Sequence, residues 1–334
     1  MKTAFLFVLI LFGFSSCKKD DKPTSYFTTT SKEVKNGGVQ MVEITANNKK
    51  FKVWTKRIGN NPKVKLLLLN GGPGMSHEYF ECMESFLPAD GIEFIYYDQL
   101  GTGFSDNPND VSFWNLDRYV EEVEQVRTAL QLDKNNFYLL GHSWGGILAM
   151  QYALKYQQNM KGLIVSNMMA SCPKYGEYSK VLEKQLPVKV LQEIKMIEAN
   201  KDFSNPKYMT LLMDNFYNQH ILRMPLDTWP EPVNRAFGRL NQSLYVTMQG
   251  PSELGISGKL TNWDVSKQLK NITIPTLTIG STFDTMDPEY MKWMATQFKN
   301  GESVTCLKGS HMSMYDDQEA YFNGLLTFLK KGNQ

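Results

Sequence analysis

Residues 137–146 read Phe137-Tyr138-Leu139-Leu140-Gly141-His142-Ser143-Trp144-Gly145-Gly146. Phe137 to Leu140 is short, apolar and aromatic, the pattern of a buried strand. Downstream, Ile147-Leu148-Ala149-Met150 and Tyr152-Ala153-Leu154 supply the apolar face of a helix. Between strand and helix stands G-x-S-x-G, the turn that lifts a nucleophilic serine out of a sheet. Its glycines are expected because neighbouring side chains would collide in so sharp a turn, and because glycine tolerates positive φ. Ser143 then lies at a helix N-terminus, whose dipole favours developing negative charge. A glycine-rich turn holding an ordinary serine has the same short pattern, so the rest of the chain must discriminate.

The chain has 334 residues, enough for one large α/β domain with an insertion. It carries 36 basic and 34 acidic residues, a net charge of +2, and no basic stripe, so no nucleic-acid partner is expected. There is neither a C-x-x-C pair nor a His-x-x-Glu spacing, and no metal or cofactor is expected. Cys82, Cys172 and Cys306 make at most one pair and read as small core residues.

The first residues do not belong to the fold. Met1-Lys2 is a basic start, and Ala4 to Phe14 is an apolar run too short for a resident transmembrane helix. Phe14-Ser15-Ser16-Cys17 closes it as a lipoprotein signal does, with Cys17 expected to become the lipid-bearing N-terminus and a membrane the partner of that lipid. Lys18 to Pro23 reads as a solvated tether, and its charges resemble the export signals of some surface lipoproteins. The expected location is therefore the cell envelope, as an exported, membrane-anchored lipoprotein.

Val39 to Ile44 and Phe51 to Trp54 alternate around Asn47-Asn48-Lys49, predicting a β-hairpin. Strands follow at Val64 to Leu69, Ile92 to Tyr97, Phe137 to Leu140 and Leu163 to Val165, with a helix over Leu116 to Leu130. From Ile272 the rhythm resumes: a strand Ile274 to Ile279, a helix near Glu289 to Phe298, a strand Ser303 to Leu307, and a helix Gln318 to Leu329. Strands alternating with helices predict an α/β fold, a mostly parallel central sheet covered by helices on both faces. Between Cys172 and Gly255 no strand-like run appears, and helices are expected over Val181 to Ala199 and Tyr208 to Leu222. The chain thus divides into a lipoprotein-type signal peptide (1–16), a tether (17–35), a core (36–171 and 256–334) and an inserted helical cap (172–255).

A nucleophilic serine needs a base, a carboxylate to orient that base, and donors for the oxyanion. The chain has four histidines. His142 should point away from its neighbour Ser143, His77 follows the third strand, and His220 sits in a cap helix. His311, in the loop Gly309-Ser310-His311-Met312 after the last strand, is left as the base. Asp284 lies where the penultimate strand ends; Asp287 competes, but it precedes Pro288 and reads as the N-cap of the next helix. The order nucleophile, acid, histidine is that of α/β hydrolases. Trp144 should give the oxyanion one backbone N–H. A second should come from the loop Asn70-Gly71-Gly72-Pro73-Gly74, at Gly72 or Gly71.

On these residues the chain resembles the prolyl aminopeptidases (proline iminopeptidases) of the α/β-hydrolase fold. The family's His-Gly-Gly-Pro-Gly stands here as Asn70 to Gly74. Its Asp-Gln-x-Gly-x-Gly-x-Ser stands as Asp98 to Ser105, and the elbow as Gly141 to Gly146. Asn167-Met168-Met169, Gly250-Pro251-Ser252-Glu253, Asp284 to Pro288 and Gly309-Ser310-His311 also look like family positions, in family order. The resemblance implies release of an N-terminal residue, preferably proline, from short peptides with a free N-terminus. It also implies cap glutamates that hold the α-ammonium, with Glu253 matching one position and Glu231 a second candidate. Trp144, Tyr245 and Phe104 are candidates for an apolar proline pocket. Asn70 departs from the family's histidine, yet an amide can both donate and accept and so still brace its loop.

The favoured reading is therefore a serine aminopeptidase working through an acyl-enzyme. A hydrolase of esters or small amides keeps the same chemistry with another substrate; epoxide opening would want aspartate at position 143. A non-catalytic binding lipoprotein is the third reading, and a broken Ser-His-Asp set would be its mark.

Overall fold

The computed structural model describes residues 36–332. The expected signal peptide, Cys17 and the tether lie outside the described residues.

The chain enters as a hairpin. β1 (Asn36–Ala46) and β2 (Lys49–Ile58) are joined by Asn47-Asn48, with φ of +48° and +60°. Two-residue hairpin turns favour positive φ at both positions, and asparagine tolerates it best after glycine. Val42, Ile44 and Ala46 point into the core, so Val39 and Met41 of the alternating run face outward.

Six further strands follow: β3 (Lys65–Leu69), β4 (Glu93–Tyr97), β5 (Phe137–His142), β6 (Gly162–Ser166), β7 (Thr276–Ser281) and β8 (Gly301–Cys306). The sheet order is β1-β2-β4-β3-β5-β6-β7-β8. β2 runs antiparallel to both neighbours, and every pairing from β4 to β8 is parallel. β3 to β7 are buried along their whole lengths, as strands covered on both faces must be.

Alternate side chains of β3 divide the core in two. Leu67 and Leu69 meet α1 (Leu116–Ala129), α2 (Trp144–Tyr156) and α9 (Pro288–Gln297) on one face. Leu66 and Leu68 meet α11 (Gln318–Lys331) on the other. The sheet grows from β3 outward in both directions, so β3 and β5 flank a topological switch point, where open α/β sheets place ligands at the carboxyl ends of strands.

Six helices stand between β6 and β7: α3 (Cys172–Glu183), α4 (Val188–Ala199), α5 (Pro206–Leu212), α6 (Asn218–His220), α7 (Glu231–Gly238) and α8 (Gln242–Met248). The two ends of this segment are tied together, Ser171 donating its hydroxyl to Asp264 at 2.9 Å and Cys172 N–H to the Trp263 carbonyl at 2.9 Å. The single helix expected over 181–199 is broken at Pro187, which lacks an N–H and disfavours helix in the residue before it. The helix expected over 208–222 is α5 and α6 joined by a π-turn at Met213–Tyr217. A short α10 (Ser313–Asp316) precedes α11. Cys82, Cys172 and Cys306 are all free thiols, the last two buried.

Candidate active site

The elbow stores its strain on the serine. Ser143 has φ +56° and ψ −128°, while neither Gly141 nor Gly145 has positive φ, contrary to the expectation for the glycines. Such a conformation costs a non-glycine residue on the order of 1–3 kcal/mol. The glycines serve by their missing side chains: a Cβ on Gly141 would lie 2.0 Å from the Gly145 carbonyl oxygen, and one on Gly145 2.1 Å from that of Leu69. Ser143 N–H donates to the Ser166 carbonyl of β6 at 3.0 Å, fixing the turn to the sheet. The Ser143 hydroxyl makes no hydrogen bond to another described residue and faces a cavity.

His311 lines the same cavity. Its Nδ1 donates to Asp284 Oδ1 at 2.7 Å, and Asp284 Oδ2 accepts from Asn167 Nδ2 at 2.7 Å, so both carboxylate oxygens are engaged. Burial opposes a charge on His311, but the Asp284 carboxylate, the hydrogen bond to it and Glu253 outweigh that and raise its pKa above the ordinary histidine value. Asp287 is occupied elsewhere, capping α9 through the amides of Glu289 and Tyr290.

The loop after β3 offers one backbone donor rather than a choice of two. Gly71 N–H donates to the Tyr79 hydroxyl at 2.7 Å, which removes Gly71 as an oxyanion donor. Its lack of a side chain matters instead, since a Cβ there would lie 2.9 Å from Ser143 Cβ. The N–H groups of Gly72 and Trp144 are taken by no other described group, and Trp144 opens α2, where the first amides have no acceptor within the helix. Asn70 braces the loop: Nδ2 donates to the Met75 carbonyl, and Oδ1 accepts from Gln99 Nε2 at 3.0 Å. Gln99 Oε1 in turn accepts from the Trp144 indole at 2.8 Å, so one amide chain links the two candidate donor segments.

The cavity over Ser143 measures about 410 Å³ and is roofed by residues of α5, the π-turn, α7 and α8. Its walls are mainly apolar, with Met75, Met209, Met213 and Met312 beside Trp229 and Phe237. Glu253 is the carboxylate among its lining residues. Burial above all raises the pKa of Glu253, His311 and two tyrosine hydroxyls pulling it back. Glu231 does not join it. That side chain is 73% exposed and paired with Arg235 at 2.8 Å, because it sits on the outward face at the start of α7. Tyr245 lines the cavity, whereas Trp144 is buried against Tyr119 and Phe104 is half exposed beside Trp54.

The other histidines are satisfied by neighbours. His77 bonds Asp98 at 2.9 Å and stacks on Trp54 at 4.2 Å between ring centroids. His220 Nδ1 donates to the Phe283 carbonyl at 2.8 Å. His142 is buried between the Tyr79 hydroxyl and the His311 carbonyl, and burial, then the nearby His311, hold its pKa down to about 3. Sequence reasoning missed Tyr79, Asn167, Tyr175 and Tyr217. An asparagine beside a strand end and tyrosines in helices read as ordinary core, and only Asn167, inside a family-like motif, carried any signal.

Comparison with known proteins places this geometry among relatives. A family described as the α/β hydrolase fold matches residues 65–318. A protein of Flavobacterium johnsoniae described as proline iminopeptidase is 55% identical over 294 residues, covering 88% of this chain and 98% of the relative. One of the same description from Saccharolobus solfataricus is 38% identical, covering 79% and 84%. Among solved structures, the proline iminopeptidase of Mycobacterium smegmatis superposes with a TM-score of 0.78 at 26% identity, covering 89% of this chain and 99% of the other. The protein VinJ gives a TM-score of 0.80 at 26% identity, covering 87% and 98%.

Proposed function

The chain belongs to the proline iminopeptidase family of α/β-hydrolase-fold enzymes, and we propose that it is a serine exopeptidase releasing an N-terminal residue, preferably proline, from short peptides. The observation that carries this reading is one cavity lined by Ser143, by His311 with Asp284 behind it, by Gly72 of the oxyanion loop and by a single carboxylate, Glu253. A hydrolase needs the serine, the histidine–aspartate pair and the oxyanion donor; an enzyme that demands a free N-terminus needs the carboxylate as well.

His311 Nε2 takes the proton of Ser143 as Oγ attacks the scissile carbonyl, and Asp284 holds the imidazole in the tautomer that leaves Nε2 free to accept. The N–H groups of Gly72 and Trp144 receive the negative oxygen of the tetrahedral intermediate, helped by the N-terminus of α2. His311 then gives its proton to the leaving amine, and water repeats the cycle on the acyl-enzyme. Glu253 receives the substrate's ammonium by a charge-assisted hydrogen bond, with residues 172–255 acting as the cap that excludes water around it. The apolar walls suit a pyrrolidine ring.

The test is turnover of protein beginning at Lys18 on proline arylamide, alanine arylamide and a short-chain ester. Proline arylamide is expected to lead, and N-acetylation to abolish its cleavage. Failure on all three overturns the enzymatic reading, while activity on the ester alone, blind to N-acetylation, selects an esterase.

We also propose that the chain is exported and held at a membrane through lipid on Cys17. The support is the basic start, short apolar run and Ser15-Ser16-Cys17 junction. Among the described residues no helix is long and apolar enough to cross a membrane. Cys17→Ser is expected to lose fatty-acid labelling and membrane sedimentation together; a labelled, sedimenting variant overturns the anchor.

A further inference from the structure

Glu253 differs from the other carboxylates around the cap in what holds it. Glu231 pairs with Arg235, and the buried Glu78 pairs with Arg235 at 3.0 Å and Arg239 at 3.3 Å. Glu253 has no ion pair among the described residues. Its partners are three tyrosines from separate elements, each at least nine-tenths buried. Tyr245 of α8 donates its hydroxyl to Glu253 Oε1 at 2.5 Å. Tyr175 of α3 donates to the Glu253 carbonyl at 2.8 Å and lies 3.4 Å from Oε2. Glu253 N–H donates to the hydroxyl of Tyr217, in the π-turn, at 3.2 Å.

We propose that Tyr245, with Tyr175 and Tyr217 behind it, is a specificity-determining positioning residue that holds the Glu253 carboxylate with a neutral donor and so makes the site require a positively charged amine. This rests on the reading of Glu253 as the ammonium's partner. An arginine in the place of Tyr245 would fix the carboxylate equally well but cancel its charge, leaving an ammonium little to gain. A phenol fixes one oxygen and leaves the net charge in place. Burial keeps the phenols of Tyr245 and Tyr175 protonated far above neutral pH, so the donors persist at any pH where the enzyme works.

The two backbone contacts matter for geometry. Glu253 follows Pro251-Ser252 in a loop without regular structure, where the main chain has no ladder to hold it. Tyr175 and Tyr217 supply that restraint from opposite polarity, one donating to the carbonyl and the other accepting from the amide. The carboxylate is thus aimed before substrate arrives, and the ordering cost is not charged to binding.

The experiment compares kcat/KM for proline arylamide with that for an aryl acetate, which has no amine, in wild type, Tyr245→Phe, Glu253→Gln and the double variant. Tyr245→Phe is expected to lower the arylamide-to-acetate ratio about tenfold, chiefly through KM. The double variant is expected to fall no further than Glu253→Gln, because Tyr245 acts through Glu253. A Tyr245→Phe ratio equal to wild type, or losses that multiply in the double variant, overturn the proposal while the Glu253 reading stands. A Glu253→Gln ratio equal to wild type overturns that reading itself. Should Tyr245→Phe not fold, the same ratio is read on Tyr175→Phe, and an unchanged value there also overturns the proposal.

Discussion

His142 Nε2 donates to the carbonyl oxygen of His311 at 2.8 Å, so the residue before the elbow serine holds the main chain of the proposed base. A carbonyl only accepts, which puts the His142 proton on Nε2 and leaves Nδ1 to accept from the Tyr79 hydroxyl at 3.1 Å. That hydroxyl in turn accepts the Gly71 N–H. On its other side His311 N–H donates to the His220 carbonyl at 3.0 Å. One chain of hydrogen bonds therefore joins the proposed oxyanion loop to the proposed base, and a cap helix completes the clamp.

Tyr79→Phe breaks that chain at its middle. It leaves the buried Gly71 N–H without an acceptor, a loss of about 1–3 kcal/mol in stability. With the loop freed, kcat on proline arylamide is expected to fall about tenfold, less than the loss of an oxyanion donor outright, with KM changed little. Denaturant unfolding and steady-state kinetics check the two parts.

Ser143→Ala is expected to abolish turnover with the fold intact by circular dichroism. Ser143→Gly is equally inactive but more stable than Ser143→Ala by about 1 kcal/mol, because glycine alone accepts φ +56° without penalty. Glycine less stable than alanine here would place the strain elsewhere.

Asp284→Asn and Asp287→Ala should separate cleanly. The first removes the acceptor that orients His311 and is expected to cost at least about 10³-fold in kcat. The second loses the N-cap of α9, about 1 kcal/mol of stability, with turnover unchanged. The reverse pattern would hand the acid's role to Asp287.

His311 must be neutral to accept the Ser143 proton, and its pKa is raised. Activity is therefore expected to appear as pH rises through a value above the ordinary histidine pKa of about 6.5, and to be lost below it. Glu253→Gln removes one of the charges that raise it, so the acid limb measured on an ester should move to lower pH. A limb that stays in place would mean Glu253 is not felt at His311.

Much of this architecture was legible in the chain. Periodicity marked every strand, because alternate or continuous burial is a local property of five or six residues. The elbow was legible for the same reason: Gly141 and Gly145 clear space for backbone only a few residues away or in the adjoining strand. Boundaries failed where a single residue overrode the period, as Pro187 does between α3 and α4. Among site residues the errors were of orientation. Gly71 and Gly72 are adjacent glycines with the same chemistry, and only the Tyr79 hydroxyl takes the first out of play. Glu231 and Glu253 are both cap glutamates, and only the packing of α7 turns one outward to Arg235.

Chain order and local sterics were thus enough for the individual strands, the elbow turn and the order in which Ser143, Asp284 and His311 follow one another. The tertiary structure decided which polar groups face the cavity and with what charge. The partners concerned are far apart in sequence: Tyr79 from His142, Asn167 from Asp284, Tyr175 from Glu253. Hydrogen bonds fall off within a fraction of an ångström, so such pairings exist only once the fold has set those distances.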